Sequence, residues 1–289
     1  MKILLITDAA SDVSHEAIEG KPIKIVAAYT HIDGRTFRDF YDVSPLEYCE
    51  MLKACETYPT TSMAPPPDYL AAYKEAREQG YTHIIVTQVS STASGTINSA
   101  KLGVDLLEAE GITDMTIAVV DTLTYSVAYG HNVVLAADMI AAGKGFQEIV
   151  DWLAYICPRT EVLFGAYTLK YMRRSGRINS MAAFVGEALG MRPIILTHKG
   201  RVDPIDRARG DKNVVPKLAE HLKVLAATDI PQKPCIIYTD IPAHEIDLLE
   251  TLILEALPSA TEVVRYQLGS TITTNTGPHT IALTFYANP

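Results

Sequence analysis

The sequence predicts an α/β protein in two parts: an N-terminal parallel-sheet α/β/α domain over residues 1–158 and a smaller C-terminal α/β domain, an α+β sandwich, over residues 159–289. Three observations predict it. Short apolar runs alternate with amphipathic helical stretches through the first half, the pattern of a parallel sheet covered on both faces. The second half carries a hairpin signal and strands split around helices. The 289 residues suit two domains at roughly 150 residues each, and 48% apolar against 20% charged residues is ample for a core.

In order, ILLIT (3–7), IKIVAAY (23–29), HIIVTQV (83–89) and TIAVVD (116–121) read as buried strands of the first part. A helix opens at Ser44-Pro45-Leu46-Glu47, where Ser and Glu form a capping box and Pro takes the first helical position. A second runs from Tyr69 to about Gln79 and stops at Gly80, a third follows Gly95, and a fourth covers Tyr125 to Ala142. The domain boundary falls near Pro158, after a helix holding Trp152. Beyond it, VLFGA (162–166), PIIL (193–196), CIIYT (235–239), EVVRY (262–266) and TIALTF (280–285) are short strands. Helices are expected near 181–189, 212–226 and 243–256, and Lys199-Gly200 marks a turn into a short strand at 201–205.

Composition excludes several classes of function. A net charge of −9 argues against a nucleic-acid partner, which needs clustered Lys and Arg. The longest apolar stretches are broken by charge, as Asp138 breaks VVLAADMIAA (133–142), so no stable membrane insertion is expected. MKILLITD lacks the apolar core of a secretory signal, and a cytoplasmic protein is expected. Cys49, Cys55, Cys157 and Cys235 have neither zinc nor disulfide spacing and read as reduced thiols.

No GxxxxGK[ST] phosphate loop occurs, and Gly143-Lys144-Gly145 lacks the third glycine of a dinucleotide fingerprint. His15-Glu16 and His244-Glu245 lack the second His of a zinc-protease helix, and there is no GxSxG elbow. No catalytic residue, metal or cofactor is therefore assigned.

What remains is a set of hydroxyl-rich segments. SSTASGT (90–96) follows a strand and opens a helix, so free backbone N–H groups and the helix dipole favour a carboxylate or phosphate there; simple capping by Ser94 or Thr96 is the alternative. TTSMAPPP (60–67) and TITTNTGPH (271–279) read as two further polar loops. In LKYMRRSGRIN (169–179), Gly176 permits a tight backbone approach and Arg177 offers a planar fork to an anion, against the alternative of a solvated surface turn.

These segments, in order, resemble a known family. ITDAASD (6–12), TTSMAPP (60–66), SSTASGT (90–96), VVDT (119–122), LKYMRRSGRIN (169–179), RPII (192–195) and TNTGPHTIALTF (274–285) are similar to the successive motifs of DegV proteins. The resemblance implies a DegV-like fold and a long-chain, palmitate-like fatty acid held between the two domains, as in the lipid-binding subunit of bacterial fatty acid kinase. By motif match it assigns the carboxylate to Thr61, Ser62, Ser94 and Gly95. It makes Arg177, Asn275, Thr276 and His279 a head-group or partner site, and a fatty acid kinase catalytic subunit a partner.

The chain departs from the family at two places. Gln-Pro-Ser after Thr-Ser is Met63-Ala64-Pro65, and the usual His-x-Gly-Pro-Gly is Asn275-Thr276-Gly277-Pro278-His279. Asn carries no proton near neutral pH, which weakens the kinase-coupled role more than ligand binding. The expected function is fatty-acid binding for lipid transport or metabolism. The rival reading is an enzyme acting on a small phosphorylated or carboxylated metabolite with His279 and Arg177 in its cleft.

Overall fold

The computed structural model describes residues 1–177 and 190–288. Its chain begins with β1 (Ile3–Asp8), α1 (His15–Ile18), β2 (Ile23–Val26), β3 (Tyr29–Ile32), β4 (Arg35–Arg38), α2 (Pro45–Ala54) and β5 (Thr60–Ser62). Then come α3 (Pro66–Glu78), β6 (His83–Gln88), α4 (Thr96–Ala109), β7 (Thr116–Asp121), α5 (Val127–Ala141) and α6 (Phe146–Ile156). β1, β2, β6 and β7 form a parallel sheet in the order β2-β1-β6-β7.

Alternation along the strands decides which helices cover each face. Leu4, Ile6, Ile84 and Val86 pack on Tyr69, Tyr73 and Leu107 of α3 and α4, whereas Ile3, Leu5 and Ile85 pack on Val133, Ile149 and Leu153 of α5 and α6. Leu5, Ile6, Ile84 and Ile85 are fully buried, each contributing about 1.5–3 kcal/mol. The capping box of α2 forms as its residues dictate: Glu47 N–H donates to Ser44 Oγ at 3.3 Å and Ser44 N–H to Glu47 Oε2 at 3.0 Å.

The expected single strand over 23–29 is in fact broken. β2 stays in the parallel sheet, while β3 starts an antiparallel sheet of order β4-β3-β5. The chain changes sheet at Ala27-Ala28, which carries no turn residue and so reads as continuous strand. The hairpin that follows had a signal: Asp33-Gly34, both at positive φ (46° and 74°), is the two-residue turn that matches strand twist.

The second half contains β8 (Thr160–Ala166), α7 (Lys170–Ser175), β9 (Met191–His198), β10 (Arg201–Arg209), α8 (Val214–Leu225), β11 (Cys235–Tyr238), α9 (Ala243–Ala256), β12 (Val264–Gln267), α10 (Ser270–Thr276) and β13 (Thr280–Tyr286). Six strands form a mixed sheet, β10-β9-β8-β13-β11-β12, antiparallel except between β11 and β12. The Lys199-Gly200 turn closes the β9–β10 hairpin, and the helix expected near 181–189 lies outside the described residues. One face of this sheet packs on α8 and α9 through Leu163, Ile194, Leu218 and Leu249. The other packs Phe164, Ile237 and Ala282 toward Val127 and Ala128 of α5 and Met172 of α7.

The expected loop over 271–279 is mostly helix. A run of Ser, Thr and Asn has poor intrinsic helix propensity. Here the side chains bond back one turn: Thr274 Oγ1 to Ser270 O at 2.7 Å, Asn275 Nδ2 to Thr271 O at 2.7 Å, Thr276 Oγ1 to Ile272 O at 3.2 Å. Among the described residues no helix is long and apolar enough to cross a membrane, and all four cysteines are unpaired.

Candidate functional site

The parallel sheet reverses its winding at β1: the chain moves to β2 on one side and later to β6 on the other. In such sheets the crevice beyond the carboxyl ends of the two strands at the reversal is where ligands bind. The loops leaving β1 and β6 there are Asp8–Asp12 and Val89–Gly95, and the inner face of the mixed sheet stands opposite. A cavity of about 160 Å³ lies between them.

Its wall is mixed. On the mixed-sheet side, Phe164, Ala282 and Ile237 are register partners on three neighbouring strands and lie side by side along the cavity, with Val162, Val202, Met172 and Leu268 around them. Thr61, Ser94, Thr96, Arg177, Asn275 and Thr276 also line it. Ala27 and Ala28, where the chain changes sheet, line it as well. The arrangement can hold an amphipathic molecule, its apolar part along the sheet and its anionic part among hydroxyls and a guanidinium.

Thr61 and Ser62 both border the cavity, but they alternate on β5. Thr61 pairs with the fully buried Thr30, on the inward face of the small sheet. Ser62 shares the opposite face with His31, and its Oγ lies 2.9 Å from His31 Nε2, whose Nδ1 lies 2.9 Å from Thr36 Oγ1. The Ser62 hydroxyl is thus engaged away from the cavity. Ser94 Oγ accepts Thr96 N–H at 3.3 Å and keeps its own hydrogen to donate. Gly95 is the N-cap residue of α4 and stands just behind Ser94, outside the lining residues.

Arg177 donates from Nη1 to Asn275 Oδ1 at 2.7 Å, so the two residues reach the cavity as a pair. His279 does not join them. It lies beyond the Gly277-Pro278 turn, half-exposed, with Nδ1 2.9 Å from the carbonyl oxygen of Asp240.

Sequence reasoning gave no role to the acids of the first motif. Asp8 lines the cavity and accepts from Ala10 N–H (2.9 Å), Val89 N–H (3.0 Å) and Tyr129 Oη (2.7 Å). Burial pushes its carboxyl up to about 6, against the pull of those three bonds. Burial likewise raises Asp12 well above the usual carboxylate range. A strand ending in Asp beside a Ser-rich turn was the available signal. The Lys199-Gly200 turn was expected but not its contacts: Thr92 Oγ1, on the Ser94 loop, and Tyr125 Oη, after β7, both donate to Gly200 O, at 2.5 and 2.6 Å.

Fold and cavity define an α/β protein built on a parallel and a mixed sheet, and comparison with known proteins places it more narrowly. A family model described as an uncharacterised protein of the DegV family matches residues 2–288, so the chain belongs to the DegV family. It is 30% identical to a DegV domain-containing protein of Deinococcus radiodurans over 77% of each chain, and 26% identical to one of Caldanaerobacter subterraneus over 98% of each. Among solved structures it is similar to a fatty-acid-binding DegV family protein from Thermus thermophilus, with a TM-score of 0.89, 27% identity and 100% of both chains covered. A DegV lipid-binding protein from Thermotoga maritima gives 0.87 and 25% over 99% of both chains.

Proposed function

We propose that the protein binds a long-chain fatty acid in this cavity, between two domains that meet near residue 158, and serves lipid transport or fatty acid metabolism without itself catalysing a reaction. The mixed lining carries the reading: one cavity is bordered by an apolar row of Phe164, Ala282 and Ile237 and by the hydroxyls of Thr61 and Ser94 and the side chain of Arg177. Two similar structures being those of a fatty-acid-binding and a lipid-binding DegV protein supports it. Tail burial at about 0.8 kcal/mol per CH₂ dominates affinity, and the polar end selects the carboxylate.

Presentation of the acid to a separate fatty acid kinase is the partner role that the family resemblance brings. We expect this chain to serve it poorly, because Asn275 carries no transferable proton and His279 faces Asp240. Acyl-phosphate formation by lipid-loaded protein, a kinase subunit and ATP tests that expectation; brisk turnover would refute it, with Asn275 sufficing if turnover survives His279→Ala and His279 standing in if it is lost.

The test of binding itself is native mass spectrometry of the purified protein followed by organic extraction. A retained fatty acid is expected, together with a rise in melting temperature on adding palmitate, since a ligand at about 100 times its Kd stabilises the folded state by about 2.7 kcal/mol. Absence of both overturns the proposal.

A further inference from the structure

Two buried carboxylates from the first half hold the start of α10. Gly269 N–H donates to Asp12 Oδ1 at 2.8 Å, and Ser270 and Thr271 N–H donate to Asp39 at 3.0 and 2.8 Å. The N–H groups at a helix start have no partner within the helix, and here the first of them go to acids at least 231 residues earlier in the chain. The fit is close: a Cβ at Gly269 would lie 2.9 Å from Asp12 Oδ1 and 3.0 Å from Asp39 Oδ1.

The backbone around the two acids is unusual too. Asp12, Ser126, whose hydroxyl donates to Asp12, and Phe40, next to Asp39, have φ of 52°, 56° and 76°. Such conformations persist in non-glycine residues where the surrounding structure over-determines position. From the far end of α10, Asn275 and Thr276 reach the cavity, and Asn275 holds Arg177.

We propose that Asp12 and Asp39 are positioning residues for the head-group end of the cavity. They fix α10, and α10 fixes Asn275 and, through it, Arg177. This rests on the fatty-acid reading above. The row of Phe164, Ala282 and Ile237 belongs to the mixed sheet and α10 adds only Ile272 to the apolar wall, so loosening α10 costs recognition of the carboxylate more than that of the tail.

The test compares the unmutated protein with Asp39→Asn, which keeps the shape but sets an NH₂ group against a backbone N–H. Hydrogen exchange over residues 268–277 and Kd for palmitate and methyl palmitate are measured. Exchange in α10 is expected to rise by about tenfold, with α5 unchanged. The preference for acid over ester is expected to fall by about fivefold, while ester affinity holds within about twofold. A purely structural role would weaken both ligands equally.

Unchanged exchange in α10, or equal weakening of acid and ester, overturns the proposal. Faster exchange in α10 of a protein that binds no palmitate upholds the clamp and removes the fatty-acid reading instead. Should Asp39→Asn not fold, Asp12→Asn, at the acid that holds Gly269 N–H and lies outside the cavity lining, is read in the same way.

Discussion

Arg177 donates to the side-chain oxygen of Asn275 across 2.7 Å, so the guanidinium is held in place by a neutral amide and keeps its charge for a ligand. Arg177→Gln is expected to weaken palmitate binding about threefold to tenfold, the low end of a charged hydrogen bond because the residue is exposed. Methyl palmitate should be unaffected. Titration calorimetry with both ligands checks this, and an equal loss for the ester would count against a carboxylate contact.

The alternation on β5 separates two neighbouring hydroxyls. Thr61→Ala and Ser94→Ala should each remove a bond to a charged group, about 1.5–3 kcal/mol, or tenfold or more in Kd. Ser62→Ala should change Kd by less than about twofold, because its hydroxyl is engaged with His31. A larger effect at Ser62 than at Thr61 would sink the assignment.

Ala282 stands between Phe164 and Ile237 on the cavity wall, so on the fatty-acid reading its small size would set the room for the acyl chain. Ala282→Leu should displace about two or three methylenes of ligand, at about 0.8 kcal/mol each. The variant is expected to prefer acids shorter by that number in a chain-length series. An unchanged length profile would place the tail elsewhere.

Asp8 makes stability depend on pH with a definite sign. Its folded value of about 6 lies above its ordinary 3.8, so the folded state binds the proton more tightly. The associated stability is fully present below about pH 3.8 and is lost as pH rises through about 6, some 3 kcal/mol in all. His131 runs the other way, since burial pushes it down to about 4 and its contribution is lost as pH falls below its ordinary 6.5. Urea denaturation of the unmutated protein minus that of Asp8→Asn therefore isolates the effect. The difference should move against the unmutated protein between about pH 4 and 6 and stay flat above about 7; no change over that interval would refute it.

Most of the fold was legible because burial imposes periodicity. β1 and β6 are central strands of a sheet covered on both faces and read as apolar runs, and the capping box at Ser44 has its chemistry in four adjacent residues. What was not legible depends on distant partners. Nothing local in STITTNT favours a helix; it forms with its first N–H groups on Asp12 and Asp39. The break at Ala27-Ala28 is likewise invisible, since two alanines fit either a strand or a crossing between sheets. At the site, the residue types in the Thr-Ser and Ser-Gly segments pointed to hydroxyl donors, but only the register of β5 against β3 distinguishes Thr61 from Ser62.

β13, the last strand of the mixed sheet in chain order, sits in its interior, with β8 on one side and β11 on the other. On the ribosome, the parallel sheet and its helices emerge early and can condense as a unit. The mixed sheet cannot close until residues 280–286 arrive, because β8 and β11 meet only through them. Thr280 and Ala282 of that strand are also cavity wall. On the fatty-acid reading, binding therefore awaits residues 280–286, and a nascent chain stalled before Thr280 is expected to protect the β1–β7 region from protease while failing to retain palmitate. Retention of lipid by such a chain would mean that the pocket assembles by another order.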